Sequence, residues 1–184
     1  MDSKRLEQFE NKFPLFRQVI NKLSENKVDW LIGGSGCLFL LGNDRIPEDV
    51  DILLRDNQHD LADKIFNIKS FIYKSSLENA RNSNPENNHS IQLTSNLKII
   101  VNRAAYDFSI TQEILNQSMK VGDFFLLPPE DVLLIKALLQ RGCEVDKSDL
   151  EDIQKFKTIY KWNAEYLSKR IKYLHAEERV KNVL

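Results

Sequence analysis

The chain has 184 residues, 42% hydrophobic and 29% charged, with a formal net charge of −1. That length and apolar content suffice for one compact domain, or a domain with a small helical appendage, and exclude a disordered tail. Near-neutrality excludes a general nucleic-acid coat protein, while leaving room for a local basic face.

The first stretch, MDSKRLEQFENKF, has no apolar run like a signal peptide. Lys4 to Asn26 carries Leu6, Phe9, Phe13, Phe16, Val19, Ile20 and Leu23 at helical spacing, with Pro14 breaking the run or opening its second helix. Val28 to Ile32 is a strand candidate. Gly33-Gly34-Ser35-Gly36 then turns the chain, and Cys37 to Leu41 reads as a short buried helix. That longest apolar stretch is too short to span a membrane. The two cysteines, Cys37 and Cys143, lie in no CxxC motif, so the expected setting is reduced and cytoplasmic.

Gly42 to Glu48 is a loop, and Asp49 to Leu54 a strand whose alternation puts Asp49 and Asp51 on one face. Asn57 to Asn67 suits a helix, Lys69 to Tyr73 a strand, and the asparagine-rich Glu78 to Asn88 a loop. Ser90 to Thr94 and Leu97 to Val101 read as a hairpin around Ser95-Asn96. Ile110 to Gln117 is weakly helical, and Met119 to Leu127 holds a short strand or two. Pro128-Pro129-Glu130-Asp131 opens a helix that runs to Gly142. Ser148 with Glu151 predicts a capping box for a helix from Asp149 to Tyr160, and Ala164 to Lys181 a last helix. The order predicts an α+β fold, with a mixed sheet flanked by helices over residues 1–127 and a helical part over 128–184 packed on it.

Chemistry concentrates early. Four of the six glycines fall between Gly33 and Gly42. A glycine turn between a strand and a helix bares backbone N–H groups that attract phosphate. Asp49 and Asp51, at i and i+2 on a strand, stand ~7 Å apart at Cα, close enough for a divalent cation to join them. Magnesium takes oxygen ligands and typically only one or two carboxylates beside substrate phosphates. Charged residues on an exposed strand are the plain alternative. Ile52, Leu53 and Leu54 argue against it, because the strand they share is mostly apolar.

Trp30 to Leu54, WLIGGSGCLFLLGNDRIPEDVDILL, resembles the signature of the DNA polymerase β-like nucleotidyltransferase superfamily. Leu126 to Ile153, LLPPEDVLLIKALLQRGCEVDKSDLEDI, is similar to the helical segment of its small bacterial and archaeal members. The resemblance implies that Gly33, Gly34 and Ser35 hold the triphosphate of a nucleotide. It implies that Asp49 and Asp51 are catalytic and ligate Mg²⁺, or Mn²⁺ in its place. ATP or another nucleoside triphosphate would donate a nucleoside monophosphate to a hydroxyl of a small molecule, a protein or an RNA.

The resemblance also implies a third carboxylate on a later strand. The strand expected to carry it, Leu97 to Val101, has no acid. Its polar residue, Lys98, would neutralise Asp49 and Asp51 or contact phosphate. Asp107 is the substitute in another register, and otherwise a turn or cap residue. The missing acid leaves a second reading open: an inactive nucleotide-binding or protein-interaction module, such as a toxin–antitoxin component.

Three further residues have paired readings. Lys136 would reach the triphosphate or snorkel at a helix edge. Arg45 would clamp phosphate or pair with Asp44 or Glu48. Arg141 would bind phosphate or, first, complement the helix C-terminus. His59, His89 and His175 are scattered, so no zinc site is expected.

Overall fold

The computed structural model describes residues 3–55, 58, 61, 64–65, 72–74, 91–94, 97–145 and 147–184. Two helices open the chain, α1 (Ser3–Lys12) and α2 (Phe16–Glu25), with Pro14 between them. Their apolar stripes turn inward. Phe9 meets Phe16 edge-on at 5.2 Å between ring centroids, and Phe16 meets Phe124 at 5.0 Å. Edge-to-face pairing of this kind adds to the area that the rings bury.

Strand β1 (Trp30–Ile32) leads through Gly33 into α3 (Gly34–Leu40), and β2 (Val50–Leu54) follows. Then come β3 (Ile72–Lys74), β4 (Ile91–Thr94), β5 (Lys98–Val101) and β6 (Ala104–Asp107). Helix α4 (Gln112–Gln117) precedes β7 (Met119–Val121) and β8 (Phe124–Leu126). The chain closes with α5 (Pro129–Leu139), α6 (Asp149–Ile159), α7 (Ala164–Tyr173) and α8 (Glu177–Val180).

Among the described residues the strands form a five-stranded sheet, order β4-β2-β1-β8-β7, and a three-stranded sheet, order β3-β5-β6. The larger sheet is mixed. β1 runs antiparallel to β2 and parallel to β8, while β2 runs parallel to β4. The fold is α+β, as the element order predicted. β1 is buried along its length, as are all β2 residues except Asp51. Helix α5 is almost wholly buried, which its apolar run VLLIKALL requires.

Three local expectations fail. Ser90–Thr94 and Leu97–Val101 do not form a hairpin: β4 pairs with β2, while β5 turns back through Asn102 and Arg103 to pair with β6. Both turn residues have positive φ, 48° and 70°, the geometry of a tight two-residue hairpin. The last helix is interrupted at His175, where φ is 52°, so α7 and α8 are separate. Ser148 makes no side-chain cap on α6; its hydroxyl accepts from Arg45 instead. The expected helix at 57–67 and strand at 69–73 fall largely outside the described residues, and the loop at 78–88 wholly so.

Candidate active site

β1 delivers the chain to the glycine turn at the sheet's centre. Gly33 is extended, and its N–H donates to the Asp51 carbonyl at 2.8 Å, tying the turn to β2. Its own carbonyl accepts from Cys37 N at 3.0 Å and starts α3. Gly34 has φ +55°, and a Cβ there would lie 2.2 Å from Asp51 Oδ2. Glycine is therefore required twice, for backbone conformation and for space. The Asp51 carboxylate lies directly over Gly34. Ser35 follows, half-buried, in the first turn of α3.

Asp49 stands just ahead of β2, and Asp49 and Asp51 are both half-buried. The strand beside them is β4, in register Asp51↔Gln92. Gln92 Nε2 donates to Asp49 Oδ2 at 3.3 Å. Burial first, and then the Asp49 charge, push the Asp51 carboxyl up to about 6, against the pull of Arg141, Lys147 and Lys136. Two acids held this close disfavour ionisation of one unless a cation joins them.

The opposing positive charge comes from the end of α5 and the start of α6. Lys136 Nζ donates to Asp149 Oδ1 at 3.0 Å and to Asp152 Oδ2 at 2.8 Å. Arg141 meets Asp149 three times: Nε to Oδ2 at 2.9 Å, backbone N to Oδ2 at 3.0 Å, and Nη2 to Oδ1 at 3.3 Å. Burial raises the Asp149 carboxyl, but Lys136 and Arg141 outweigh it and hold it below the usual carboxylate range. Arg45 Nη1 donates to Ser148 Oγ, fastening the loop before Asp49 to the start of α6.

The structure thus brings Gly33, Gly34 and Asp51 into direct contact, sets Asp49 beside them, and places the Lys136 and Arg141 cluster where its charge reaches Asp51. Arg45 is exposed at the rim of this group, and Glu48 is exposed too. Lys98 stands elsewhere. It is exposed on β5, paired in register with Ile72 and Asp107 in the three-stranded sheet. The strand expected to face Asp49 and Asp51 was β5; the strand that does is β4. Among the described residues no group of three or more His, Cys, Asp and Glu could hold a metal.

A family model described as "Nucleotidyl transferase of unknown function (DUF2204)" matches residues 12–183. The chain belongs to this family. Its fold is that of a solved nucleotidyltransferase, the antibiotic-resistance factor ANT(2'')-Ia. The solution structure of that protein superposes with a TM-score of 0.52 at 12% identity, over 99% of this chain and 95% of the other. Its crystal structure with adenylyl-2''-tobramycin gives a TM-score of 0.53 at 11% identity, over 90% of this chain and 97% of the other. No curated protein sequence matches the chain. This member of the nucleotidyl transferase family also has no described helix long and apolar enough to cross a membrane.

Three site residues escaped the sequence reading. Gln92 carries no motif and reaches the site only through strand pairing. Lys147 lies in a short charged loop with no pattern of its own. Arg141, readable as a phosphate ligand or a helix C-terminal charge, is bonded to Asp149. Asp149, read as an N-terminal helix charge, is fully buried and holds two cations. The signal available was the mid-helix Lys136 in an otherwise apolar run, which demanded a buried acid as partner.

Proposed function

We propose that this chain transfers a nucleoside monophosphate from a nucleoside triphosphate to an acceptor hydroxyl, with a divalent cation at Asp49 and Asp51. The observation that carries this reading is the Asp51 carboxylate seated over Gly34, where no side chain fits, with Asp49 two residues away. Two half-buried carboxylates suit Mg²⁺ or Mn²⁺, which take few protein ligands and complete their shell with phosphate oxygens and water. Such an ion supplies charge neutralisation on the phosphates.

The chain's own residues do the rest. Gly33, Gly34 and Ser35 offer backbone N–H groups and a hydroxyl to the triphosphate. Arg141, Lys147 and Arg45 supply positive charge where negative charge accumulates on the departing pyrophosphate, while Lys136, buried against Asp149 and Asp152, holds that cluster in place. The acceptor hydroxyl gives its proton to solvent, its oxygen forms a bond to the α-phosphorus, and the bond from that phosphorus to the β-phosphate bridging oxygen breaks, releasing pyrophosphate. Residues 1–127 would carry the nucleotide chemistry, and the helical part 128–184 would add the cations. The adenylylated aminoglycoside belongs to ANT(2'')-Ia. Here the acceptor is a hydroxyl of a small molecule, a protein or an RNA.

A second reading has one observation in its favour. Gln92, a neutral amide, occupies the strand position beside Asp51, and no third acid joins the pair among the described residues. That suits a nucleotide-binding or interaction module, for which a toxin–antitoxin setting is one context.

Calorimetric titration of ATP, GTP, CTP and UTP with and without Mg²⁺ separates the two readings. Mg²⁺-dependent binding of a nucleotide that Asp49→Ala/Asp51→Ala abolishes supports transfer. No binding of any nucleotide sinks it.

A further inference from the structure

On the site face of the larger sheet, Gln92 stands beside Asp49 and Asp51. Parallel pairing puts Gln92 directly beside Asp51, and side-chain alternation puts it on the same face. Its neighbours Ile91 and Leu93 pack against the core, so β4 is anchored and its register with β2 is held by apolar burial. Because the partner is a carboxylate, the amide nitrogen and not the amide oxygen must face Asp49, which settles the orientation of the group.

We propose that Gln92 is a positioning residue for the carboxylate pair, and that it closes the third side of a divalent-cation site with a neutral group. Its amide occupies Asp49 Oδ2, leaving Oδ1 as the oxygen offered to a cation shared with Asp51. An amide at this corner does two things that a carboxylate cannot do together. It donates to Asp49, and it keeps the site's charge at two negatives rather than three. The inference rests on the reading of Asp49 and Asp51 as cation ligands. Residues that orient metal ligands by hydrogen bonding typically change metal affinity 10- to 100-fold when removed.

The test is Mn²⁺ binding to the full-length protein without nucleotide, followed by electron paramagnetic resonance. Wild type is compared with Gln92→Ala, Gln92→Glu and Asp49→Ala, and melting curves verify folding. Gln92→Ala should weaken Mn²⁺ binding about tenfold. Gln92→Glu should bind at least as tightly as wild type, because a carboxylate at that corner reaches the ion directly. Two results overturn the proposal while leaving Asp49 a ligand. One is Gln92→Ala binding as wild type does while Asp49→Ala loses binding. The other is Gln92→Glu binding no better than Gln92→Ala. If wild type and Asp49→Ala bind Mn²⁺ equally poorly, the cation reading itself falls, and Gln92's role falls with it.

Discussion

Asp149 ties Lys136 to Arg141: one carboxylate, with no exposed surface, accepts from the lysine and from the arginine side chain and backbone. Removing an acid that compensates two cations in a buried site leaves charge without a partner, a loss of about 3–5 kcal/mol in comparable cases. Asp152 still holds Lys136, at 2.8 Å, so the lower end of that range applies to Asp149→Ala. Urea denaturation at pH 7 measures it. A change under 1 kcal/mol would mean that Asp152 alone can hold both cations in place.

The Asp51 carboxyl predicts a pH dependence with a definite sign. Its folded value, about 6, lies above its ordinary value of 3.8. The folded state therefore binds this proton more tightly than the unfolded state, and the group's contribution to stability falls as pH rises from about 4 to about 6. Above that window its cost is fully present. Asp51→Asn should raise the stability of the metal-free protein by on the order of 1–3 kcal/mol at pH 7.5, with the gain fading toward pH 4. Thermal melts in chelator across that range test it, and a variant less stable than wild type at pH 7.5 overturns it. Added Mg²⁺ should stabilise wild type with the logarithm of its concentration above the dissociation constant and leave Asp51→Asn unmoved.

Gly34→Ala should separate folding from binding. The new methyl would meet Asp51 Oδ2 at 2.2 Å, on a backbone with φ +55°. The left-handed conformation costs a non-glycine residue roughly 1–2 kcal/mol. The Asp51 carboxylate must also swing away. Nucleotide and Mn²⁺ affinity should drop at least tenfold while the protein still folds. Gly33→Ala is the milder change, because Gly33 has φ −110° and its nearest neighbour would be Leu53 Cδ1 at 3.1 Å. If calorimetry shows the two variants binding alike, the contact between Gly34 and Asp51 is not what shapes the site.

These contrasts show which parts of the site sequence reasoning reaches. Strand, glycine turn and helix are local, and the alternation of Asp49 with Asp51 is local, so both were legible from Trp30 to Leu54. What failed was pairing across distance. Asn96 looked like a hairpin turn, yet Asn102 and Arg103 make the hairpin, and β4 leaves its sequence neighbour to run beside β2. Lys98 was expected beside the acids because the resemblance assigns the third carboxylate to Leu97–Val101, whereas β4, with Gln92, is the strand that pairs with β2. Lys136 raised the same difficulty in another form: its partners Asp149 and Asp152 lie 13 and 16 residues on, where helix capping already accounted for acids.

The end of α5 offers a test of how the C-terminal segment supports the site. Gln140 takes a left-handed conformation, φ 50°, and its amide donates to Ala137 O at 2.8 Å and Arg179 O at 3.1 Å. Arg179 Nε returns a bond to Leu138 O at 3.0 Å. Arg179 therefore caps carbonyls that α5 cannot satisfy itself, just before Arg141 turns to Asp149. Arg179→Ala should cost about 1–2 kcal/mol, typical of a lost charged hydrogen bond to a helix end. It should also weaken nucleotide binding by a few-fold. Calorimetry with urea denaturation checks both, and unchanged nucleotide affinity would confine Arg179 to stability.

The pair Asp131 and Arg170 makes a sharper energetic prediction. Arg170 Nε donates to Asp131 Oδ1 at 2.7 Å, and Tyr166 donates to the other oxygen. Both charged side chains are buried, and Arg170 lies between the rings of Phe108 and Tyr173, 5.0 and 5.3 Å from their centroids. Arg170 Nη2 is buried with no hydrogen-bond partner among the described residues. Desolvation is thus only partly offset, and burial outweighs the arginine in setting the Asp131 carboxyl above its usual range. Breaking the pair from either side, Asp131→Leu or Arg170→Met, should cost about 3–5 kcal/mol by leaving one buried charge alone. The double variant removes both charges and should recover most of that loss. A double variant as unstable as the sum of the singles would show that the pair contributes packing rather than charge compensation. Its nucleotide affinity should match wild type, since the network joins α5 to α7 and makes no contact with Asp49 or Asp51.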